Sequence, residues 1–209
     1  MQPDNIAAIV LAAGFCRRMG SFKPLLDLDG RPVIYYAVES LRKAEIKLIH
    51  VIIGHNGDTL LPVLEELKVH AVVNEKYAEG MFSSVLAGMD SLESGVKAFF
   101  ILPADMPLIR PETISSLIRA SGQHPGKIVV PSYRGRKGHP PLIPVEKADY
   151  IREYRGDNGL SGALWSLKGQ TAFIPVEDEN TVFDFDTADR YEELKERWQR
   201  LKSEVHIKV

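Results

Sequence analysis

The sequence predicts an α/β fold with a mainly parallel sheet covered on both faces, and two observations lead there. Short apolar runs rich in β-branched residues recur at Ile6–Leu11, Leu48–Ile53, 69–73, 98–102, 128–131 and 171–174, each bounded by Gly, Pro, Asn or Asp. Between several of them stand stretches with helical spacing, at 32–44, 59–67, 83–92 and 111–120. Parallel neighbours need long crossovers, and each crossover helix must bury an apolar stripe on the sheet, so this alternation reads as a layered α/β domain.

The rhythm changes after residue 131. Residues 132–144 (SYRGRKGHPPLIP) read as a strand, a Gly-rich turn and a second extended piece, a hairpin insertion that forms a small lobe. Residues 183–186 alternate Phe and Asp and read as a strand end leading into a final helix over 187–202. Tyr191, Leu194, Trp198 and Leu201 form that helix's buried stripe. No linker or repeat divides the 209 residues, which are treated as one domain, 1–209.

Composition narrows the function. Hydrophobic residues are 44% and charged residues 26% of the chain, which excludes a disordered or collagen-like protein. A net charge of −2 gives no overall field for gripping nucleic acid or an anionic membrane, so an anionic ligand must be held locally. Cys16 is the only cysteine, which rules out an internal disulfide and fits a reducing, cytoplasmic location. No run is long enough to span a membrane, and residues 1–5 lack the basic start of a signal peptide.

Ligands of open α/β sheets sit at the carboxyl ends of strands, so the residues just past each apolar run carry the search for chemistry. After Leu11 comes a loop of small residues, Ala12, Ala13 and Gly14, and then the cations Arg17, Arg18 and Lys23. Small residues let the main chain approach a ligand, and Arg18 and Lys23 can neutralise a triphosphate. The alternative is a solvated turn with scattered charges. Gly14 and Gly20 have the wrong spacing for a Walker loop or a dinucleotide fingerprint.

A second place lies past the run at 98–102, where Asp105 stands between Pro103 and Pro107. A lone carboxylate there suits Mg²⁺, which takes one or two carboxylates and leaves its other positions to phosphate and water. The third is Asp184 and Asp186, directed by alternation to one face, so that at least one can meet Asp105 across a metal; one of them, or Thr187, can instead cap the last helix.

Other classes fare worse. No H-E-x-x-H zinc motif and no G-x-S-x-G nucleophile elbow is present, and Ser83 or Ser84 reads as a helix start. A nicotinamide oxidoreductase lacks its glycine fingerprint. A nucleotide-binding cofactor chaperone without catalysis would keep the loop, but Lys23, Asp105 and Asp184 together argue for turnover.

Several segments in order resemble one family. LAAGFCRRMG from Leu11 to Gly20, with KPLL from Lys23 to Leu26, resembles the L-A-A-G-x-S-x-R-M-G-x-x-K-x-L-L signature of nucleotidyltransferases of the molybdenum cofactor cytidylyltransferase type. NEKYAEGMFSS from Asn74 to Ser84 resembles that group's N-x-x-x-x-x-G-M-x-x-S block. Gly138, His139 and Pro140 resemble its G-H-P turn, Asp157 to Gly159 its G-D-x-G region, and DFDTAD from Asp184 to Asp189 its ending. The resemblance implies a Rossmann-like three-layer nucleotidyltransferase fold. It also implies Mg²⁺-dependent attack by the terminal phosphate of molybdopterin on the α-phosphate of CTP, with release of pyrophosphate and with a molybdoenzyme as the onward recipient of the cofactor.

Under that resemblance Leu11, Ala12, Ala13, Gly14, Arg18, Lys23, Ser84 and Asp105 bind nucleotide. Lys23, Arg18 and Asp105 support catalysis, and Asp105 and Asp184 hold the metal with Asp186 in reserve. Gly80, Ser83, Gly138 and His139, with Ser84 beside them, line the acceptor side, where His139 hydrogen-bonds a phosphate or pterin edge or else fixes the turn before Pro140. Two features bear on specificity. Ala13, where related guanylyltransferases have Gly, favours cytosine over guanine, and Ala104-Asp105-Met106-Pro107 departs from the family's C-D-Q-P, which leaves a sugar phosphate as the alternative acceptor.

Overall fold

The computed structural model describes residues 3–15 and 19–206; Cys16, Arg17 and Arg18, among them the expected phosphate-binding Arg18, lie outside the described residues. In chain order the elements are β1 (Ile6–Leu11), β2 (Asp27–Leu28), β3 (Arg31–Pro32), α1 (Val33–Lys43), β4 (Leu48–Ile53), α2 (Leu61–Glu66), β5 (His70–Val73), α3 (Met81–Asp90), β6 (Ala98–Pro103) and α4 (Pro111–Gln123). They continue as β7 (Ile128–Tyr133), β8 (Arg136–Lys137), β9 (Leu142–Pro144), α5 (Ala148–Glu153), α6 (Gly159–Ser166), β10 (Thr171–Pro175) and α7 (Ala188–His206). No described helix is long and apolar enough to cross a membrane.

The main sheet runs β10-β7-β9-β6-β1-β4-β5, with β8 added to β7, and β2 and β3 form a separate antiparallel pair. β6, β1, β4 and β5 are parallel neighbours; β9 is antiparallel to both β6 and β7. This is a Rossmann-like α/β architecture with a mainly parallel sheet, as the sequence predicts. The expected hairpin at 132–144 exists as β7 and β8, turned at Arg134 and Gly135, both with positive φ. Its second extended piece then enters the main sheet as β9, because Leu142, Ile143 and Pro144 are all apolar enough to be buried there.

Alternation along the strands builds a three-layer core. Ile6, Ala8 and Val10 of β1 pack with Ile34, Val38 and Leu41 of α1, Leu64 of α2 and Ile114 and Leu117 of α4. Ala7 and Ile9 face the other way, onto Val85 and Met89 of α3, Ile151 of α5 and Ala163 of α6. α5 and α6 are too short to announce themselves by periodicity. A third cluster seats Leu194 of α7 against Leu28, Val33, Leu108, Phe183 and Phe185, with Tyr191, Trp198 and Leu201 packed beside it.

Residues 183–186 are extended but pair with no strand, coming directly after a 3-10 turn at Glu179–Val182. Their alternation still sends Phe183 and Phe185 into the core and leaves Asp184 exposed and Asp186 half-buried at the cleft, because burying the rings is what fixes the segment. α3 starts at Met81, ahead of both expected serines. Gly80 precedes it with φ 103°, a conformation only glycine adopts freely, and no serine side chain caps the helix.

Two outcomes are expected from the core. Gly88 of α3 lies so close to β1 that an added Cβ would sit 2.4 Å from Cγ2 of Ile9. Helix propensity favours Ala there by about 1 kcal/mol, but overpacking costs about 1–3 kcal/mol, so Gly88→Ala lowers stability in denaturant titration. His50 of β4 is 4% exposed, bonds Ser91 Oγ through Nδ1 at 2.9 Å, and has no partner at its buried Nε2. Burial, then the neighbouring His70, pulls its pKa below the ordinary 6.5. The unfolded chain therefore gains a proton that the folded chain refuses, and stability falls as pH drops below 6.5. Thermal midpoints measured from pH 7 to pH 5 decline, and the decline is shallower in His50→Asn.

Candidate functional site

The strand order reverses at β1, with β4 on one side and β6 on the other, and a cleft of about 340 Å³ opens at their carboxyl ends. Ala12 N–H donates to the Ile52 carbonyl at 2.9 Å, and Ala104 N–H donates to the Leu11 carbonyl at 3.0 Å. Each loop thus leaves its strand already tied to a neighbour. Leu11, Ala12, Ala13, Gly14, Lys23, Ser84 and Asp105, seven of the eight residues expected to meet nucleotide, line this one cleft.

Lys23 begins a short 3-10 turn, Lys23–Leu25, and is only 7% exposed. Its Nζ donates to Asp105 Oδ2 at 3.0 Å and to Asp186 Oδ1, and it lies 5.5 Å from the centre of the Phe185 ring. Burial alone would lower the Lys23 pKa, but the bonds to Asp186 and Asp105 outweigh it and raise the pKa above 10.5. Burial raises the Asp105 carboxyl, with Lys23 pulling the other way and Asp184 and Asp186 adding to the rise. Asp105 and Asp186 therefore face each other across one ammonium. Asp184 is largely exposed and lies 3.8 Å from Arg190. The pair brought together is Asp105 with Asp186, whereas the resemblance ranks Asp184 ahead of Asp186.

A second cleft, about 510 Å³, adjoins the first along Met81, which lines both. Gly138 and His139 lie in it; Gly80 and Ser84 lie in the nucleotide-side cleft instead. Ser83 lines neither; its hydroxyl lies 2.8 Å from both the Gly80 and Lys76 carbonyls, sharing its one proton between them, and accepts from Asn74 Nδ2. His139 is held below its ordinary pKa by burial, against a bond to the Ile101 backbone and the field of Asp105 and Asp184. A neutral imidazole with a buried, unpartnered Nδ1 is a poor clamp for phosphate and a better partner for an N–H or O–H edge.

Three parts of the site escape sequence reasoning. Buried Asn74 ties the loop 74–84 together, donating to Ser83 and Ser84 hydroxyls at 2.8 and 2.9 Å and accepting from Lys76 N–H. Phe15, His55 and Tyr77 form an aromatic cluster beside the small-residue loop, with centroids 5.0 and 5.3 Å from Phe15. Asp178, 3% exposed, caps α4 from far along the chain by accepting from Arg110 N–H and Thr113 Oγ. That bond explains how α4 begins at Pro111 without a capping side chain on Arg110. Asn74 belongs to the N-x-x-x-x-x-G-M-x-x-S block and is legible as a signal; the other two depend on contacts between distant segments.

Comparison with known proteins places the chain among relatives of the same fold. The bifunctional protein GlmU of Legionella pneumophila is 37% identical over 119 residues, covering 56% of this chain and 25% of that protein, so the chain spans about a quarter of that relative's length. The crystal structure of an Rv0371c homologue from Mycobacterium sp. strain JC1 superposes with TM-score 0.82 at 25% identity, over 96% of this chain and all of that one. Rv0371c of Mycobacterium tuberculosis in complex with manganese has the same fold, with TM-score 0.74 at 22% identity over 91% and 98% of the two chains. With the model of the MobA-like NTP transferase domain matching residues 8–171, the chain belongs to that nucleotidyltransferase family.

Proposed function

We propose that this chain transfers CMP from CTP to molybdopterin, releasing pyrophosphate, and does so with Mg²⁺ in the cytoplasm. The observation that carries this reading is the convergence of Lys23, Asp105 and Asp186 beside a loop of small residues at the ends of β1 and β6. The donor set fits the metal: two carboxylates within reach of one ammonium supply hard oxygen ligands and leave room for phosphate and water. Bound there, Mg²⁺ would neutralise charge that develops on the phosphates.

The protein's own residues perform the rest. Ala12, Ala13 and Gly14 present main-chain groups to base and ribose, with Leu11 and Ser84 flanking them, and the Cβ of Ala13 narrows the space in favour of cytosine. Lys23 moves from the carboxylates onto the triphosphate, and Arg18 joins it. A terminal phosphate oxygen of the acceptor forms a bond to the α-phosphorus while the bond from that phosphorus to the bridging oxygen of pyrophosphate breaks. The electron pair leaves on pyrophosphate, where Lys23 stabilises it, and no covalent enzyme intermediate forms. Gly138 and His139 border the acceptor, with His139 bonding a pterin edge.

Purified protein incubated with Mg²⁺, each NTP, and either molybdopterin or a sugar 1-phosphate should release pyrophosphate fastest with CTP and molybdopterin. Sugar phosphate turnover would reassign the acceptor, and binding without turnover would mark a cofactor chaperone. Lys23→Ala should lower kcat about 10²-fold, and unchanged kcat would remove Lys23 from the chemistry. Because its ammonium and a divalent cation compete for the same carboxylates, Lys23→Met should bind Mn²⁺ more tightly than wild type without nucleotide. Mn²⁺ paramagnetic resonance reads that affinity; equal affinities would place the metal elsewhere.

A further inference from the structure

Two segments carry the carboxylates that Lys23 bonds, and the contacts between them run well beyond the cleft. One leaves β6 through Asp105 and enters α4 at Pro111; the other is 178–186, which ends at Asp186. At the cleft end Lys23 joins them. In the middle, Leu108 packs in one cluster with Phe183 and Phe185. At the far end stands Asp178, 3% exposed, whose Oδ2 accepts from Arg110 N–H at 2.8 Å and from Thr113 Oγ at 2.9 Å, across 68 and 65 positions of sequence. Its Oδ1 accepts from the backbone N–H and the side-chain Nδ2 of Asn180, both at 3.1 Å, so the same carboxylate shapes the turn at the start of the second segment. Thr181 Oγ closes that turn by donating to the Asp178 carbonyl at 2.8 Å.

These four donors to Asp178 are neutral, which makes its carboxylate a costly way to start a helix. A serine at position 110 would cap α4 locally and bury no charge. Drawing the cap from a distant segment adds what a local cap lacks, a fixed register between the two segments. The proposed reaction needs that register at one moment in particular. Once Lys23 has moved to the triphosphate, two carboxylates of like charge face each other, and their repulsion drives them apart unless the chain behind them is held. We propose that Asp178 is a positioning residue for the divalent-cation site: by bonding the start of α4 to the turn at 179–182, it sets the spacing of Asp105 and Asp186. The inference rests on the transferase reading above, in which both carboxylates hold the metal, and it gives a buried residue that lines neither cleft control over cation affinity.

Mn²⁺ paramagnetic resonance without nucleotide tests this on the full chain carrying Lys23→Met, which reproduces the state in which the ammonium has left the carboxylates. In that parent, Asp178→Asn should weaken Mn²⁺ binding about 10–100-fold, the usual effect of losing a group that orients a metal ligand. Thr113→Val removes one bond and leaves the charge of Asp178 in place, so it should weaken Mn²⁺ in the same direction by a smaller factor. Adding Arg110→Ser to Asp178→Asn should restore the helix cap and raise the thermal midpoint by about 2–4 °C, while Mn²⁺ affinity stays low. Unchanged affinity in Asp178→Asn overturns the proposal. So does a loss in Asp178→Asn with none in Thr113→Val, which is the effect of charge alone, or an affinity restored by Arg110→Ser, which leaves Asp178 a helix cap and nothing more. Should Asp178→Asn fail to fold, Thr113→Val decides by itself. Asp105→Asn separates the readings: Mn²⁺ affinity equal to the parent's sinks the metal site of the transferase reading, whereas a loss there with none in Asp178→Asn sinks only this inference.

Discussion

The ammonium of Lys23 is the point on which the site closes. Asp105 lies past the end of β6 and Asp186 precedes α7, eighty-one residues apart, and one buried cation bonds both of their carboxylates. Two such groups at close range without a counter-charge would repel each other, and the one already raised by burial would take up a proton. Lys23 therefore keeps the acidic segments ionised and in register before any ligand arrives. The same arrangement under the proposed function makes Lys23 an exchangeable cation, able to leave the carboxylates when a triphosphate offers it more charge.

Holding Asp186 in place is the work of residues 178–186, which cross the carboxyl end of the sheet without joining it. Asp178 is the first anchor, accepting from Arg110 and Thr113 at the start of α4 and from Asn180. Thr181 is the second: its carbonyl accepts from His139 N–H at 2.7 Å. Gly138 has no room for a side chain there, since a Cβ would stand 2.6 Å from that carbonyl. Phe183 and Phe185, sunk in the cluster under α7, are the third. One strap thus joins the loop bordering the larger cleft to the carboxylate in the smaller one.

The two clefts divide their chemistry by composition. The smaller is walled by the small-residue loop and by Phe15, Tyr77 and Met81, with its charge in Lys23, Asp105 and Asp186. The larger has Phe82, Val85, Leu160, Leu164, Trp165 and Phe173 in its wall beside the charged Glu79, Lys137 and Lys168. Such a division suits a reaction in which a charged triphosphate must be gripped by dipoles and cations while a bulkier partner is oriented by shape.

The parts of this protein legible in its sequence are the local ones. β1, β4 and the helices α1, α3 and α4 are near their expected limits because buried parallel strands are continuous β-branched runs and their helices carry regular apolar stripes. Leu11 to Gly14, Lys23 and Asp105 are legible as a site because a strand delivers the loop at its carboxyl end to the mouth of the sheet, a local consequence of chain order. The bonding of Lys23 to Asp186 rather than to Asp184, the role of Asp178, the insertion of β9 between β6 and β7, and the placing of Trp165, Phe173 and Met81 along one cleft were decided by tertiary structure alone. Each depends on which distant segment packs alongside, and alternation within one segment says that two aspartates share a face but not which of them finds a buried lysine.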